Sequence, residues 1–155
     1  MTIVARTVSQ TGLDVDVEAA LVQVFLARLV PDFPGLVVAT AVPRAKDGSL
    51  AFPPLLIVPS RAGGIALSPM HDQPMVSVQC WAPTPVAAWE LTGAARMVAT
   101  CLSNEKVVLP PVRPGGATEV VSVSYFRSVG GPVVFDDPRT RQARYQFTDM
   151  YTVRR

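Results

Sequence analysis

Met75-Val76-Ser77-Val78-Gln79-Cys80-Trp81, then Ala82-Pro83, then Thr84-Pro85 and the run Val86–Leu102: this stretch decides the fold. The first segment reads as a buried strand and Ala82-Pro83 as a sharp break. Thr84 is a good helix N-cap, and Pro85 falls at the first helical position, where its missing N–H costs nothing. At 100° per residue, Ala87, Leu91, Ala94, Ala95, Val98, Cys101 and Leu102 fall on one stripe, the expected core face of a helix over Val86–Leu102. Thr92, Arg96, Thr100 and Ser103 lie opposite, and Trp89 falls among them. An indole on the polar side of a well-patterned helix implies that something covers that side, and the expected cover is another subunit.

Upstream, Asp14-Val15-Asp16-Val17-Glu18 opens a first helix, its acids placed at the positive end of the helix dipole. That helix runs to about Val30 and stops at Pro31. Its apolar residues, Phe25 among them, cover more than one face, so it needs a cover besides the sheet. Residues 1–13 read as a short extended arm. After the turn Asp32-Phe33-Pro34-Gly35, Leu36–Val42 reads as a strand. Arg44–Ser49 is a polar hairpin tip with the turn dipeptide Asp47-Gly48, and Leu55–Val58 is the returning strand, kept short or at an edge by its flanking prolines. Ile65–Asp72 reads as a loop with brief extended pairing.

Downstream, Glu105–Thr118 carries Pro110, Pro111, Pro114, Gly115 and Gly116 and reads as a surface linker. Glu119–Arg127 alternates as a half-exposed strand, with Val121, Val123 and Tyr125 on one face and Ser122 and Ser124 on the other. Val129-Gly130-Gly131 is expected to turn the chain into a further strand, Pro132–Phe135. Asp136-Asp137-Pro138-Arg139 turns again. Thr140–Val153 closes the chain as a long strand with Tyr145, Phe147, Tyr151 and Val153 on one face. The summed order is α+β: a mixed or antiparallel sheet with two helices on one face, in a single domain over residues 1–155 with a Pro/Gly-rich loop at about 105–118.

Composition narrows the class. The chain has 155 residues, enough for one domain with a real core. Apolar residues make up 49% and charged residues 17%, a low charge for a monomer that must cover itself with solvated side chains; the surplus is compatible with oligomer interfaces, with a tightly packed monomer as the alternative. The net charge of +2 is too small to argue for nucleic-acid binding, although residues 111–155 hold seven Arg against four acids. Cys80 and Cys101 make no disulfide framework and read as buried free thiols. No signal peptide and no transmembrane run is legible.

No motif specifies chemistry. His71 is the only histidine and has no partners at metal-ligand spacing. Asp136-Asp137 resembles an acid/base pair, but Pro138 makes it a turn. Gly63-Gly64, Gly115-Gly116 and Gly130-Gly131 lack the strand, glycine loop, helix and lysine of a phosphate cradle. No catalytic residue, metal ligand or cofactor is assigned.

Two segments carry a family resemblance. Met75–Leu102, with Val78-Gln79-Cys80-Trp81-Ala82 and its Ala-rich helix, and Gly130–Val153, with Gly131-Pro132 and Arg144-Tyr145-Gln146-Phe147, resemble the tail terminator proteins of long-tailed bacteriophages, especially those of actinobacterial hosts. The likeness covers about two thirds of the chain; the N-terminal helix and hairpin fit in order only. It implies a small α+β subunit of a hexameric ring, located in the virion neck and made in the host cytoplasm. Such a ring caps the tail tube and joins it to the head-side connector, with DNA passing through the lumen unbound. On that reading Trp89, Arg96 and Phe25 are expected at a subunit interface, and Arg44, Lys46, Arg139, Arg141 and Arg144 at contacts with subunits, the tail tube protein or the connector, leaving a mixed or acidic lumen. Arg44–Ser49, Gly63–Asp72 and Pro110–Thr118 are the expected rim loops. A different neck protein, or a small enzyme or ligand-binding domain, remains the alternative.

Overall fold

The computed structural model describes residues 16–111 and 114–154. The expected N-terminal arm, Asp14 and linker residues 112 and 113 lie outside them. Two helices, α1 (Val17–Leu29) and α2 (Pro85–Thr100), pack with β1 (Leu36–Val38), β2 (Leu55–Ser68), β3 (His71–Ala82), β4 (Glu105–Leu109), β5 (Glu119–Phe135) and β6 (Ala143–Arg154). The strands form one sheet in the order β1-β2-β3-β6-β5-β4. β1 runs parallel to β2 and every other pair is antiparallel. This is the expected α+β class with a mixed sheet, and the sheet curls into a half-barrel against which both helices sit.

The curl explains the broad apolar face of α1. Asp16 caps the helix, its carboxylate accepting from the Ala19 backbone N–H at 3.0 Å. Seated in the concavity, α1 touches β1 and β2 at one margin of the sheet, β4 at the other, and α2. Its second cover is therefore the far margin of its own sheet. Phe25, expected at a subunit interface, is fully buried in the main core and has no surface to offer a neighbour. Arg28 at the helix end meets Glu105 of β4 at 2.7 Å.

For α2, the start is as expected: the Thr84 hydroxyl accepts from the Ala87 N–H at 3.2 Å and Pro85 follows. The buried face is rotated from the expected stripe and consists of Ala88, Leu91, Thr92, Ala95 and Ala99. Leu91, Ala95 and, after the helix, Leu102 keep their expected burial, whereas Ala87, Ala94 and Val98 are half-buried and Cys101 is exposed. Thr92 turns inward because its hydroxyl donates to the Ala88 carbonyl at 2.6 Å, which satisfies it locally. The small side chains of Ala88, Ala95 and Ala99 face the sheet, and the larger Val86 and Met97 face out. Cys80 is buried as expected, and burial pushes its thiol up to about 12.

Several local readings are overturned by pairing at long range. The strand at Leu36 ends at Val38 and runs parallel to β2, Leu36 opposite Leu55, so no hairpin joins them. A parallel pair needs a crossover. Residues 39–54 supply it and lay Val42 and Phe52 over the opposite face of the sheet, where Leu56, Val58 and Trp81 form a second small core. The Asp47-Gly48 turn does form, inside that crossover, with Gly48 at φ +84° and Arg44 bridged to Leu50. β2 continues to Ser68, and the expected loop at Ile65–Asp72 is the end of a long hairpin, Ile65 opposite Gln73 and Ser68 opposite His71. The expected linker loses Glu105–Leu109 to β4. β5 runs unbroken through Gly130-Gly131, which produce bulges and not a turn. A bulge between Val123 and Tyr125 reverses the alternation, so Tyr125 is exposed and Phe126 packs on the core. On β6, Phe147, Tyr151 and Val153 point into the core as expected.

Candidate assembly interface

Trp89 projects from the outer side of α2, 55% exposed, with its ring centroid 5.6 Å from that of Tyr145. Tyr145 of β6 pairs with Val134 of β5. Helix and strand thus bring the indole to the same face of the sheet as exposed Val134, whereas Val133 and Phe135 alternate to the other face, where Phe135 meets Arg144. An open groove of about 310 Å³ runs along this end of the sheet, lined in part by Pro83, Pro85, Phe135, Arg141, Arg144 and Tyr145. Contiguous exposed apolar residues of this kind mark interaction surfaces on soluble domains.

The C-terminal arginines behave in different ways. Arg139 grips Asp137 with two hydrogen bonds, Nε to Oδ1 at 2.8 Å and Nη2 to Oδ2 at 2.6 Å. Arg144 approaches the same carboxylate at 3.6 Å, and its guanidinium lies 5.3 Å from the Trp81 ring centroid and 5.1 Å from that of Phe135. The Arg139 guanidinium beside Asp137 holds the carboxyl well below the usual range, with Arg144 adding to the effect and burial opposing it. Arg139 and Arg144, expected to face other proteins, therefore spend their charge within the chain. Arg139, whose guanidinium lies 5.8 Å from the Phe52 ring centroid, and Gln142, whose Nε2 donates to the Pro53 carbonyl at 2.8 Å, fasten the turn after β5 to the crossover loop. Arg141 is exposed at the groove. In the crossover tip, Arg44 donates to the Gly48 carbonyl at 2.8 Å and Lys46 is exposed. The tip is separate in sequence and contacts from the Trp89 surface, so the expected contact residues do not converge on one site.

Arg96 is half-buried on α2, its guanidinium 6.0 Å from the Phe147 ring centroid and its Nη2 3.5 Å from the Ser128 hydroxyl. Near it lies Asp149, which the sequence reading passed over. Its position in the alternation with Phe147 and Tyr151 was the available signal, because it places a carboxylate on the core side. Burial pushes Asp149 up to about 6, offset in part by the Ser128 hydroxyl, Arg96 and the Tyr151 hydroxyl. The Tyr151 hydroxyl is pushed up in turn, by burial first and then by the Asp149 charge. His71 opens β3 on the surface, Nδ1 3.1 Å from the Ser68 hydroxyl, beside a cleft of about 240 Å³ that includes Glu105, Lys106 and Arg154. Among the described residues, no group of three or more His, Cys, Asp or Glu is placed to hold a metal ion, and no helix is long and apolar enough to cross a membrane.

Compared with known proteins, the chain matches no family model and no curated sequence.

Proposed function

We propose that this protein is a ring-forming structural subunit of a phage tail, a tail terminator that caps the tail tube and meets the head-side connector. The observation that carries the reading is the group of exposed apolar residues at one end of the sheet, Trp89 and Val134 on the α2 side and Val133 and Phe135 on the other face of the same strand end, on a chain whose charged fraction is only 17%. A subunit that closes a ring needs two different patches for its two neighbours. The Trp89 surface supplies one, and the exposed arm of the β2–β3 hairpin, with Ile65 and Leu67, is a second apolar surface on the same chain. The crossover tip Arg44–Ser49, the hairpin end Ser68–His71 and the linker after Leu109 are the segments assigned to axial contacts, because polar surface loops adapt to partners more easily than sheet or helix. DNA passes through the lumen without specific binding, and the assembled protein resides in the virion neck.

The test is the native mass of the purified full-length chain, followed by its position in the particle that encodes it. A species near six times the 16.6 kDa subunit is expected. Particles assembled without the protein are expected to carry tail tubes of uncontrolled length. Normal tube length with an absent head junction would assign it to a different neck role. A monomer at high concentration that associates with no tail or connector component would end the proposal.

A further inference from the structure

The outer sides of β2 and β5 are only partly covered by β1 and β4. β1 covers β2 at Leu55–Ile57, and the Ala39 N–H extends that cover by donating to the Ile57 carbonyl at 3.1 Å. Pro59 has no N–H to offer, and the Arg61 backbone N–H donates to Glu18 of α1. At the other margin β4 covers β5 from Glu119 to Val123. Beyond these, among the described residues, each margin keeps at least one regular run with no strand beside it. On β2 it is Gly63–Ala66, between the bulges at Arg61/Gly63 and Ala66/Ser68. On β5 there are two, Tyr125–Ser128 between the bulges at Val123/Tyr125 and Ser128/Gly130, and Val133–Phe135, whose Val134 and Phe135 are level with Ile57 and Leu56 of β2, which β1 already covers.

We propose that neighbouring copies of this chain join by antiparallel pairing of Tyr125–Ser128 on one copy with Gly63–Ala66 on the next, so that the sheet continues from subunit to subunit. The proposal rests on the ring reading above and names the contact that closes it. Three features of the chain argue for a second copy as the occupant. The two runs stand at the same height in the sheet: Gly63 to Ala66 pair with Met75 to Asp72 of β3, and Arg127 and Ser128 reach Met75 and Val76 through Met150 and Asp149 of β6. Rotation about a ring axis brings equal heights together without an axial step, which closure requires. The polarity also fits. Successive antiparallel pairings through β3 and β6 leave β5 running opposite to β2, and rotation about an axis along the strands preserves direction, so the contact is antiparallel. Finally, the side chains match: at equal height Tyr125, 53% exposed, stands opposite Ile65, 61% exposed, an aromatic and β-branched pair that covers both. Open strand edges otherwise invite uncontrolled pairing. Here Pro59, the bulges and the Glu18 contact limit the open stretch on β2 to the part that a neighbour would use.

The experiment is hydrogen exchange on the full-length chain, assembled and then diluted to the dissociated subunit, with native mass spectrometry reporting particle size. In the ring, amides within Gly63–Ala66 and Tyr125–Ser128 are expected to exchange at least tenfold more slowly than in the subunit, both segments together. Tyr125→Lys, a change at an exposed position, is expected to raise the concentration needed for assembly tenfold or more while leaving the subunit folded by circular dichroism. A ring in which either segment exchanges at the subunit's rate overturns this pairing and leaves the ring reading standing. Full protection of both segments in the dissociated subunit overturns it as well, because the edges would then be covered from within. Absence of any ring removes both.

Discussion

At the scale of single residues, two buried carboxylates give opposite dependences on pH. Asp149 rises from the ordinary 3.8 to about 6 because burial disfavours its charge. Between about pH 4 and pH 6 the folded chain therefore holds a proton that the unfolded chain has released. This contribution to stability is fully present below the unfolded value and is lost as pH rises through 6. Asp149→Asn should keep it, so the variant's melting temperature at pH 7 should exceed the parent's, and the parent's decline between pH 4 and pH 6 should flatten. A lower melting temperature at pH 7 with an unchanged slope would show that Arg96 and Ser128 stabilise the ionised form instead. Asp137 is held down by Arg139, so its contribution is present above the ordinary carboxylate range and disappears as pH falls below about 4. Asp137→Asn should cost about 1–3 kcal/mol at neutral pH by denaturant unfolding, kept modest because Arg139 is half exposed. Leu102, 1% exposed in the same core as Val76 and Val78, should cost about 2–5 kcal/mol when cut to alanine, and a loss under half a kcal/mol would contradict its burial.

At the scale of elements, α2 depends on its cap. Thr84→Ala removes the acceptor for the Ala87 N–H and should lower stability by about 1 kcal/mol, measured as a shift in denaturation midpoint without change of slope. The β2–β3 arm depends on Gly64. Its φ is +118°, and a Cβ there would lie 2.3 Å from the Gln73 carbonyl oxygen. Gly64→Ala must therefore displace backbone of β3, and protease nicking within Ile65–Asp72 should increase. If the arm stays intact in that variant, the close approach of the two strands is not required.

At the scale of the whole molecule, the main core lies between α1, α2 and the concave face of the sheet, and the exposed apolar side chains are concentrated on strands and on the outer face of α2. Trp89→Ala should leave the subunit's melting temperature within about a degree, because the indole contributes to the surface more than to the core, and should raise the concentration needed for assembly. The two effects separate by light scattering and calorimetry on the same samples. Unfolding of the variant would instead make the Trp89–Tyr145 contact part of the subunit's own fold.

Local chemistry was sufficient for some elements. Thr84-Pro85 starts α2, Asp47-Gly48 turns, Asp136-Asp137 turns, and Phe147, Tyr151 and Val153 share the inner face of β6, while the acids before Glu18 marked the start of α1 without showing that Asp16 is its cap. Each depends on neighbours a few residues away, so residue type and spacing carry the information. The rest depended on partners far along the chain. Whether Leu36–Val38 joined β2 as a hairpin or in parallel was decided by the crossover that covers Trp81. Gly63-Gly64 and Gly130-Gly131 carry the same local signal as a turn, yet both lie inside strands because β3 and β6 hold them in register. The apolar girdle of α1 was visible in the sequence, but only the curl of the sheet showed that its own chain wraps it. Trp89 was legible as an outward residue from its helical phase, whereas its place beside Tyr145 and the β5 edge came from strand pairing. Short-range signals fix caps and turns; register, curl and the uncovered stretches of the sheet are properties of the closed structure.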